Sequence, residues 1–450
     1  MKFIPSTQPQ RLLLGILLLA AGLRGGFLYY NWNNLDLAPS FLLHAEVARN
    51  ILNGHWFEKN QSYLQQYIND CQGAGRLIDL EDYPPPQQEE LVPLYNDEGG
   101  YGLFLAILWK MFGGNRWWYA RVIQVIIDVV MCWLIFRIGH KVFNQRVGLL
   151  AAFLYACFIP GIEMAVRPHR DIWVTFLFIF SVYQLASLKQ EQGWRRFLLI
   201  GLAAGVVAWM RSTVVPFVFF LVVLLFVLQP WKIAVRYSFV LLAGFALIFS
   251  SLIVRNYVVF DRLMATRGAF WHSFWAGVGQ MPNPYGLRED DEEIAKFASR
   301  LDSTVQFETE GYERALKEEA LSFVSRDPVW YVASVAKRAT VFVFPKIGRA
   351  VFFRETQHVS GMLNKSLSTA VLLVVDGILG GLFLFGIWLT RKRWKELLVV
   401  MLPFLYTLFT LAPFYVAGRN IANVYFVVLM SASVSLTYFW GLYRQEQAVN

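Results

Sequence analysis

Acids and arginines recur where the chain leaves its apolar stretches. Asp36 and Glu46 follow the first of these stretches. Arg167, His169, Arg170 and Asp171 fill a very short turn, Val-Arg-Pro-His-Arg-Asp, between two others. Arg211 stands in a second turn, Arg255-Asn256 close a span, and Arg419-Asn420 lie in the last turn; Arg116 and Arg121 open the second span. Alone, each would serve as an interfacial anchor whose charged head reaches water. Together they set a ring of cations with a few carboxylates at one membrane face. That combination suits an anionic lipid head group such as a phosphate, with a base beside it.

The elements that must carry these residues are membrane spans. The chain has 450 residues, 56% hydrophobic and 16% aromatic, and a mean hydropathy of +0.42. Several stretches approach the roughly 20 apolar residues that cross about 30 Å of hydrocarbon. The net charge is +9. Its basic residues cluster between apolar segments, which is a topology signal and not a nucleic-acid footprint. Cys71, Cys132 and Cys157 are too scattered for a disulfide framework or a metal site. No phosphate-cradling glycine loop, HExxH or CxxC pair occurs, so no nucleotide site is expected.

Lys2 and Arg11 precede the first span, Leu12 to Tyr30, which places the N-terminus in the cytoplasm. No small-residue cleavage site follows, so this span reads as a retained helix. The basic clusters at Arg137–Arg146, Lys189–Arg196, Lys232–Arg236 and Arg391–Lys395 all become cytoplasmic if Tyr101 to Phe112 stays on the outer surface. This gives about ten crossings with both termini cytoplasmic. Two polar regions then face outside, 31–116 and 258–366. The expected organisation is a first membrane module over 1–257, an outer region over 258–366 and C-terminal transmembrane helices over 367–450.

In the first outer region Leu43, Val47 and Ile51 line one face of a helix that starts near Pro39 and stops at Gly54. It is too short to span, so it is expected to lie apolar side down with Glu46, Arg49 and Asn50 toward a water-filled site. In the second, Tyr312, Leu316, Ala320 and Phe323 form the buried stripe of a helix ending at Asp327-Pro328. Asp128 falls mid-span, where a carboxylate costs about 2.5–3.5 kcal/mol, and is expected to pair inside the bundle.

With these residues in view, the chain resembles the polytopic GT-C glycosyltransferases. It is most similar to the branch of the protein O-mannosyltransferases and the lipid A aminoarabinose transferase. The resemblance rests on Ala48-Arg49-Asn50-Ile51-Leu52-Asn53-Gly54, Gly100-Tyr101 leading to Phe112-Gly113, Arg121, and Asp171 after a short turn. It continues through Gly201-Leu-Ala-Ala-Gly205 to Arg211, then Arg255-Asn256-Tyr257 and Arg419. It implies an all-α integral membrane GT-C bundle with surface-lying helices in the first outer loop.

It also implies transfer of a sugar from a polyprenyl-phosphate donor to an acceptor hydroxyl at the outer face, with inversion. A first-loop carboxylate would act as base. The family spacing, counted back from Ala48, lands on His44 and Ser40 and not on an acid. Asp36 is the first choice for that role, with Glu46, Asp97 and Glu98 as alternatives; Asp171 matches the second acidic position. Arg121, Arg170, Arg211, Arg255 and Arg419 would hold the donor phosphate. The acceptor is a lipid, a polysaccharide or a protein, no nucleic acid takes part, and a divalent metal stays open as a cofactor. The expected location is a bacterial inner membrane, with the site facing the periplasm. The rival reading is a non-catalytic binder or translocator of lipid-linked sugars.

Overall fold

The computed structural model describes residues 8–32, 39–86, 91–94, 97–187, 193–261, 263–264, 269–305, 307, 309–353 and 367–449. The chain forms two compact units, Met1–Thr266 and Arg267–Asn450. The second outer region therefore folds with the C-terminal helices. Almost everything described is helical; one two-stranded antiparallel ribbon is the exception.

The first unit runs α1 (Gln8–Tyr30), α2 (Pro39–Leu52), β1 (Glu58–Asn60), α3 (Gln61–Gly73), β2 (Leu91–Pro93), α4 (Gly100–Phe112), α5 (Trp118–Val142) and α6 (Gln145–Ala156). It continues with α7 (Ile159–Val166), α8 (Asp171–Ala186), α9 (Gly193–Met210), α10 (Val215–Leu228) and α11 (Trp231–Phe260). Local sequence explains the boundaries. Gly54, at φ +93°, ends α2 in a conformation that glycine tolerates without strain. Asn60 caps α3 by accepting from the Tyr63 N–H, and Asn144 caps α6 by accepting from the Val147 N–H. The Gly201-x-x-x-Gly205 pair lets α9 press against α11; a Cβ on Gly201 would stand 2.2 Å from the Leu241 carbonyl oxygen. Small residues serve this purpose in membranes, where helices associate by close packing.

The second unit holds α12 (Phe270–Gly279), α13 (Asp291–Leu301), α14 (Glu310–Arg326), α15 (Pro328–Val343) and α16 (Pro345–Phe352), then α17 (Leu367–Thr390), α18 (Trp394–Leu411), α19 (Gly418–Ala422) and α20 (Tyr425–Val449). The expected stripe of α14, Tyr312, Leu316, Ala320 and Phe323, is buried against Trp275, Ile294 and Phe297. The acidic run after Glu289 forms the start of α13, where Asp290 accepts from the Glu292 and Glu293 N–H groups. Acids there face the positive end of the helix dipole. Arg338 is buried and donates to the carbonyls of Gly277, Ala412 and Pro413, so it clamps the loop before α19.

The chain is an integral membrane protein. Among the described residues, six helices are long and apolar enough to cross a membrane, or seven if the bent pair α6–α7 counts as one span. The expectation of about ten included three features that this count leaves out. The segments Asp171–Ala186 and Ser212–Leu228 are each under 18 residues. The apolar run Ala370–Leu411 is counted once although it folds as α17 and α18. The helix α4 has 13 residues; at about 1.5 Å rise per residue it is too short to cross.

One expectation fails in the first loop. The polar side of α2 does not face water: His44, Glu46, Arg49 and Asn50 are all buried. Glu46 turns to the following segment, accepting from the Asn60 N–H at 2.7 Å and from Asn50 Nδ2 at 2.7 Å. Periodicity showed that α2 has two faces. It could not show that the ribbon and α3 fold back over the second one.

Candidate functional site

Polar side chains converge at one end of the first unit's helices. The turn between α7 and α8 delivers His169, Arg170 and Asp171. The end of α9 delivers Arg211, and the turn before α4 delivers Asp97 and Glu98. This last turn is narrow because Gly100 packs directly on α9; a Cβ there would lie 2.3 Å from the Trp209 carbonyl oxygen. Close backbone contact between α4 and α9 thus brings the Asp97-Glu98 pair to Arg211 and Ser212.

The contacts form two groups of alternating sign, which adjoin in sequence at Arg170-Asp171 and at Arg211-Ser212. Arg170 Nη1 donates to Asp97 Oδ2 at 2.6 Å, to Glu98 Oε2 at 3.1 Å and to the Met210 carbonyl at 3.2 Å. Glu98 Oε1 accepts from the Ser212 N–H at 2.9 Å, and Asp97 Oδ1 accepts from the Gly99 N–H at 2.9 Å. Arg211 is ion-paired with Asp171, and Asp171 Oδ2 lies 3.0 Å from His169 Nδ1. His44 reaches in from α2, with Nδ1 4.0 Å from Asp97 Oδ1. Asp97, Glu98, His169, Arg170 and Asp171 are buried, while Arg211 is partly exposed. In so dry a setting charge pairs act far more strongly than in water.

Electrostatics fix the charge states of three groups near this site. Burial pushes the His44 imidazole down to about 3; Asp97 pulls it up, while Arg170 and His169 push it down further. It is therefore neutral at physiological pH. Burial also acts against the Arg170 cation, but Asp97 and Glu98 outweigh it and raise the group. The Glu46 carboxyl is raised by burial, with the Asn60 N–H and Asn50 opposing.

The remaining residues singled out by sequence take other positions. Arg121 donates to the carbonyls of Val166, Trp32 and Asn31, tying the ends of α1 and α7 to α5. Arg255 donates to the carbonyls of Phe57 and Leu94, bracing the ribbon against α11. Arg419 is exposed at the start of α19 in the second unit. Asp36 lies outside the described residues. Asp128 faces the bundle and pairs with Arg24 of α1, and the Tyr155 hydroxyl donates to it at 2.6 Å. Arg24 went unremarked in the sequence because one cation did not break the apolar run around it. His44 was met only as a departure from the family spacing; its nearness to Asp97 depends on how α2 packs on α4.

The donor set does not suit a metal. Among the described residues no group of three or more His, Cys, Asp and Glu side chains is placed to hold one. Asp97, Glu98 and Asp171 each face a guanidinium instead.

The fold is that of the GT-C membrane glycosyltransferases, as the sequence resemblance implied. Residues 100–254, which include Arg170, Asp171 and Arg211, match the family model of dolichyl-phosphate-mannose-protein mannosyltransferases. The whole chain is similar in structure to the oligosaccharyltransferase of Archaeoglobus fulgidus. The apo form gives a TM-score of 0.54 at 12% identity, covering 100% of this chain and 53% of that one. The oligosaccharyltransferase AglB from Archaeoglobus fulgidus, in complex with an inhibitory peptide and a dolichol-phosphate, gives 0.51 at 14% identity, covering 98% of this chain and 52% of that one. A third form, in complex with Zn and sulfate, gives 0.50 at 13% identity, covering 96% and 49%. The chain thus spans about half the length of the solved structures that it matches. No curated protein matches its sequence.

Proposed function

We propose that this protein transfers a sugar from a polyprenyl-phosphate carrier to an acceptor hydroxyl, at the outer face of the membrane. The observation that carries the reading is the gathering at one end of the bundle of two buried ion-paired groups, Arg170 with Asp97 and Glu98, and Arg211 with Asp171. Glycosyl transfer from a lipid phosphate needs a base near the acceptor and cations near the leaving group. In the proposed step the acceptor oxygen attacks the anomeric carbon and the bond from that carbon to the phosphate oxygen breaks. The hydroxyl proton passes to a carboxylate, and the electron pair leaves on the lipid phosphate. A single displacement of this kind inverts the anomeric centre. Arg211, the more exposed of the two site arginines, meets the phosphate first, with Arg170 behind it. Asp171 holds Arg211 in place, and Asp97 takes the proton. Asp36 is the competing base.

The donor class is inferred from a structurally similar enzyme, AglB, solved in complex with a dolichol-phosphate. Orientation follows from the basic loops. Arg195 and Arg196 lie in the first turn of α9, whose other end leads to Arg211, and Lys141 of α5 donates to Ser187, past the end of α8 opposite Asp171. The positive-inside rule puts these basic residues in the cytoplasm and the site in the periplasm of a bacterial inner membrane, with both termini cytoplasmic. A second reading, non-catalytic binding of a lipid-linked sugar, has one observation in its favour: Asp97, Glu98 and Asp171 are all already ion-paired.

Reconstituted protein supplied with radiolabelled polyprenyl-phosphate sugars and cell-envelope acceptors tests these readings. Asp97→Asn should lower transfer by about 10²–10⁴-fold, the usual worth of a positioned base, while Asp36→Asn should be milder. Full transfer by Asp97→Asn together with loss in Asp36→Asn would move the base to Asp36. Donor binding by wild-type protein without transfer to any acceptor would favour the binder.

A further inference from the structure

His44 is fully buried on α2. Its ring packs 5.1 Å from that of Tyr101, centroid to centroid. Neither ring nitrogen has a hydrogen-bond partner. The Tyr101 hydroxyl, the nearest obvious candidate, is bonded to Gln124 instead. Burying an imidazole with both nitrogens unmet costs free energy that a leucine or phenylalanine of similar bulk would not cost. The position is also tight: a Cβ on Gly102 of α4 would stand 2.7 Å from Val47 Cγ1 and 3.2 Å from the His44 carbonyl oxygen. The imidazole is therefore firmly placed, and its unmet polar edge looks toward Asp97 at 4.0 Å.

Asp97 and Glu98 share Arg170, which is itself buried and has an unpartnered Nε. A phosphate arriving at this cluster competes for that guanidinium, because charge-assisted bonds from arginine to phosphate are at least as strong as those to carboxylate. Asp97 then keeps the Gly99 N–H on Oδ1 but loses the charge-assisted bond to Oδ2. A neutral donor stands close by on α2, His44, with Nδ1 4.0 Å from Asp97 Oδ1; among the described residues the charged and titratable neighbours of His44 are Asp97, Arg170 and His169, and Glu46 on the same helix points away to Asn60.

We infer that His44 is a positioning residue for Asp97: its imidazole N–H closes onto the carboxylate when Arg170 turns to the lipid phosphate, keeping Asp97 ionised and aimed at the acceptor. A neutral donor suits the task, since a second cation beside Arg170 would be repelled and would compete for the phosphate. Burial keeps His44 neutral, as described above. The inference rests on Asp97 being the transfer base.

Difference infrared spectroscopy of wild-type protein against Asp97→Asn, with undecaprenyl phosphate bound, follows the protonation of this one carboxyl without any turnover. His44→Phe removes the donor and keeps the bulk. His44→Asn keeps an N–H near the place of Nδ1. In His44→Phe the Asp97 titration should move up by about half a unit or more, the direction expected when a bond to the charged form is lost. In His44→Asn it should stay with wild type, and transfer by His44→Phe should fall about tenfold in kcat at unchanged donor KM. An identical titration in all three proteins overturns the inference. If His44→Phe does not fold, nitrogen NMR of the wild-type histidines decides. The His44 Nδ1 resonance should move to a hydrogen-bonded position on adding undecaprenyl phosphate, and an unchanged resonance overturns the inference. A shifted titration with Asp97→Asn still fully active would leave the contact standing and remove Asp97 from the base role.

Discussion

Two buried charge clusters lie in the first unit, and they differ in how completely they are satisfied. In the middle of the bundle Arg24 pairs with Asp128, donates to the Ala156 carbonyl at 2.8 Å and to the Tyr155 carbonyl at 3.3 Å, and Tyr155 in turn donates to Asp128. No polar atom of these three side chains is without a partner. At the helix ends the second cluster alternates acids and arginines, yet both His44 nitrogens and Arg170 Nε are unmet. A closed network in hydrocarbon ties helices together. An incomplete one beside a partly exposed arginine has donors to offer a ligand. Under the proposed function, the first cluster holds the fold and the second is kept for chemistry.

Several variants would break or sharpen that contrast. The largest effect belongs to the closed cluster. Asp128→Asn leaves Arg24 buried without a counter-charge and should destabilise the protein by about 3–5 kcal/mol. Thermal unfolding in detergent measures this, and a melting temperature equal to wild type would mean that the cluster does not tie the bundle. Replacing both partners, Arg24→Met with Asp128→Leu, should recover most of the loss, since an apolar pair of similar volume is often neutral.

The open cluster should behave in the opposite way. Arg211→Lys keeps a charge for the buried Asp171 and loses only the guanidinium fork, so it should lower transfer, by up to about 10²–10³-fold, the usual worth of one donor to a developing anion, and leave the melting temperature close to wild type. A variant that unfolds but, where folded, transfers normally would make Arg211 a structural residue like Arg24.

The smallest effect concerns Glu46, which is buried like the site acids but serves α2 and the ribbon. Burial raises its carboxyl in the folded protein. Its ionisation therefore costs stability: the cost is absent below the ordinary carboxylate range and grows as pH rises through the raised value. Wild type should lose stability relative to Glu46→Gln as pH rises above the ordinary carboxylate range, with transfer little changed. Parallel stability profiles for the two proteins would contradict this.

The membrane character and the longest spans were legible because length and apolar character decide them, whereas the expected ten crossings included segments under 18 residues that the same criterion leaves out. Asp171, Arg170 and Arg211 were legible as span-end charges, and the structure pairs Asp171 with Arg211 and sets Arg170 on Asp97 and Glu98. What escaped depended on packing between segments far apart in sequence. Glu46 was read as facing water because nothing in α2 itself announces that Asn60 will come back to meet it. Asp97 and Glu98 were noted as acids, but their place follows from Gly100 pressing α4 against the Trp209 carbonyl. His44 was seen only where an acid was missing. Arg24 lay hidden because its partner, Asp128, is a hundred residues away and the pairing shows only in three dimensions.

The central claim is that the Asp97, Glu98, Asp171, Arg170 and Arg211 cluster receives a lipid phosphate. An experimental structure of the protein with undecaprenyl phosphate tests it most directly. The phosphate should lie within about 4 Å of the Arg211 guanidinium, with Arg170 drawn away from Asp97 and the His44 ring closed onto the carboxylate. A phosphate bound elsewhere, with Arg170 still bridging Asp97 and Glu98, would contradict the account.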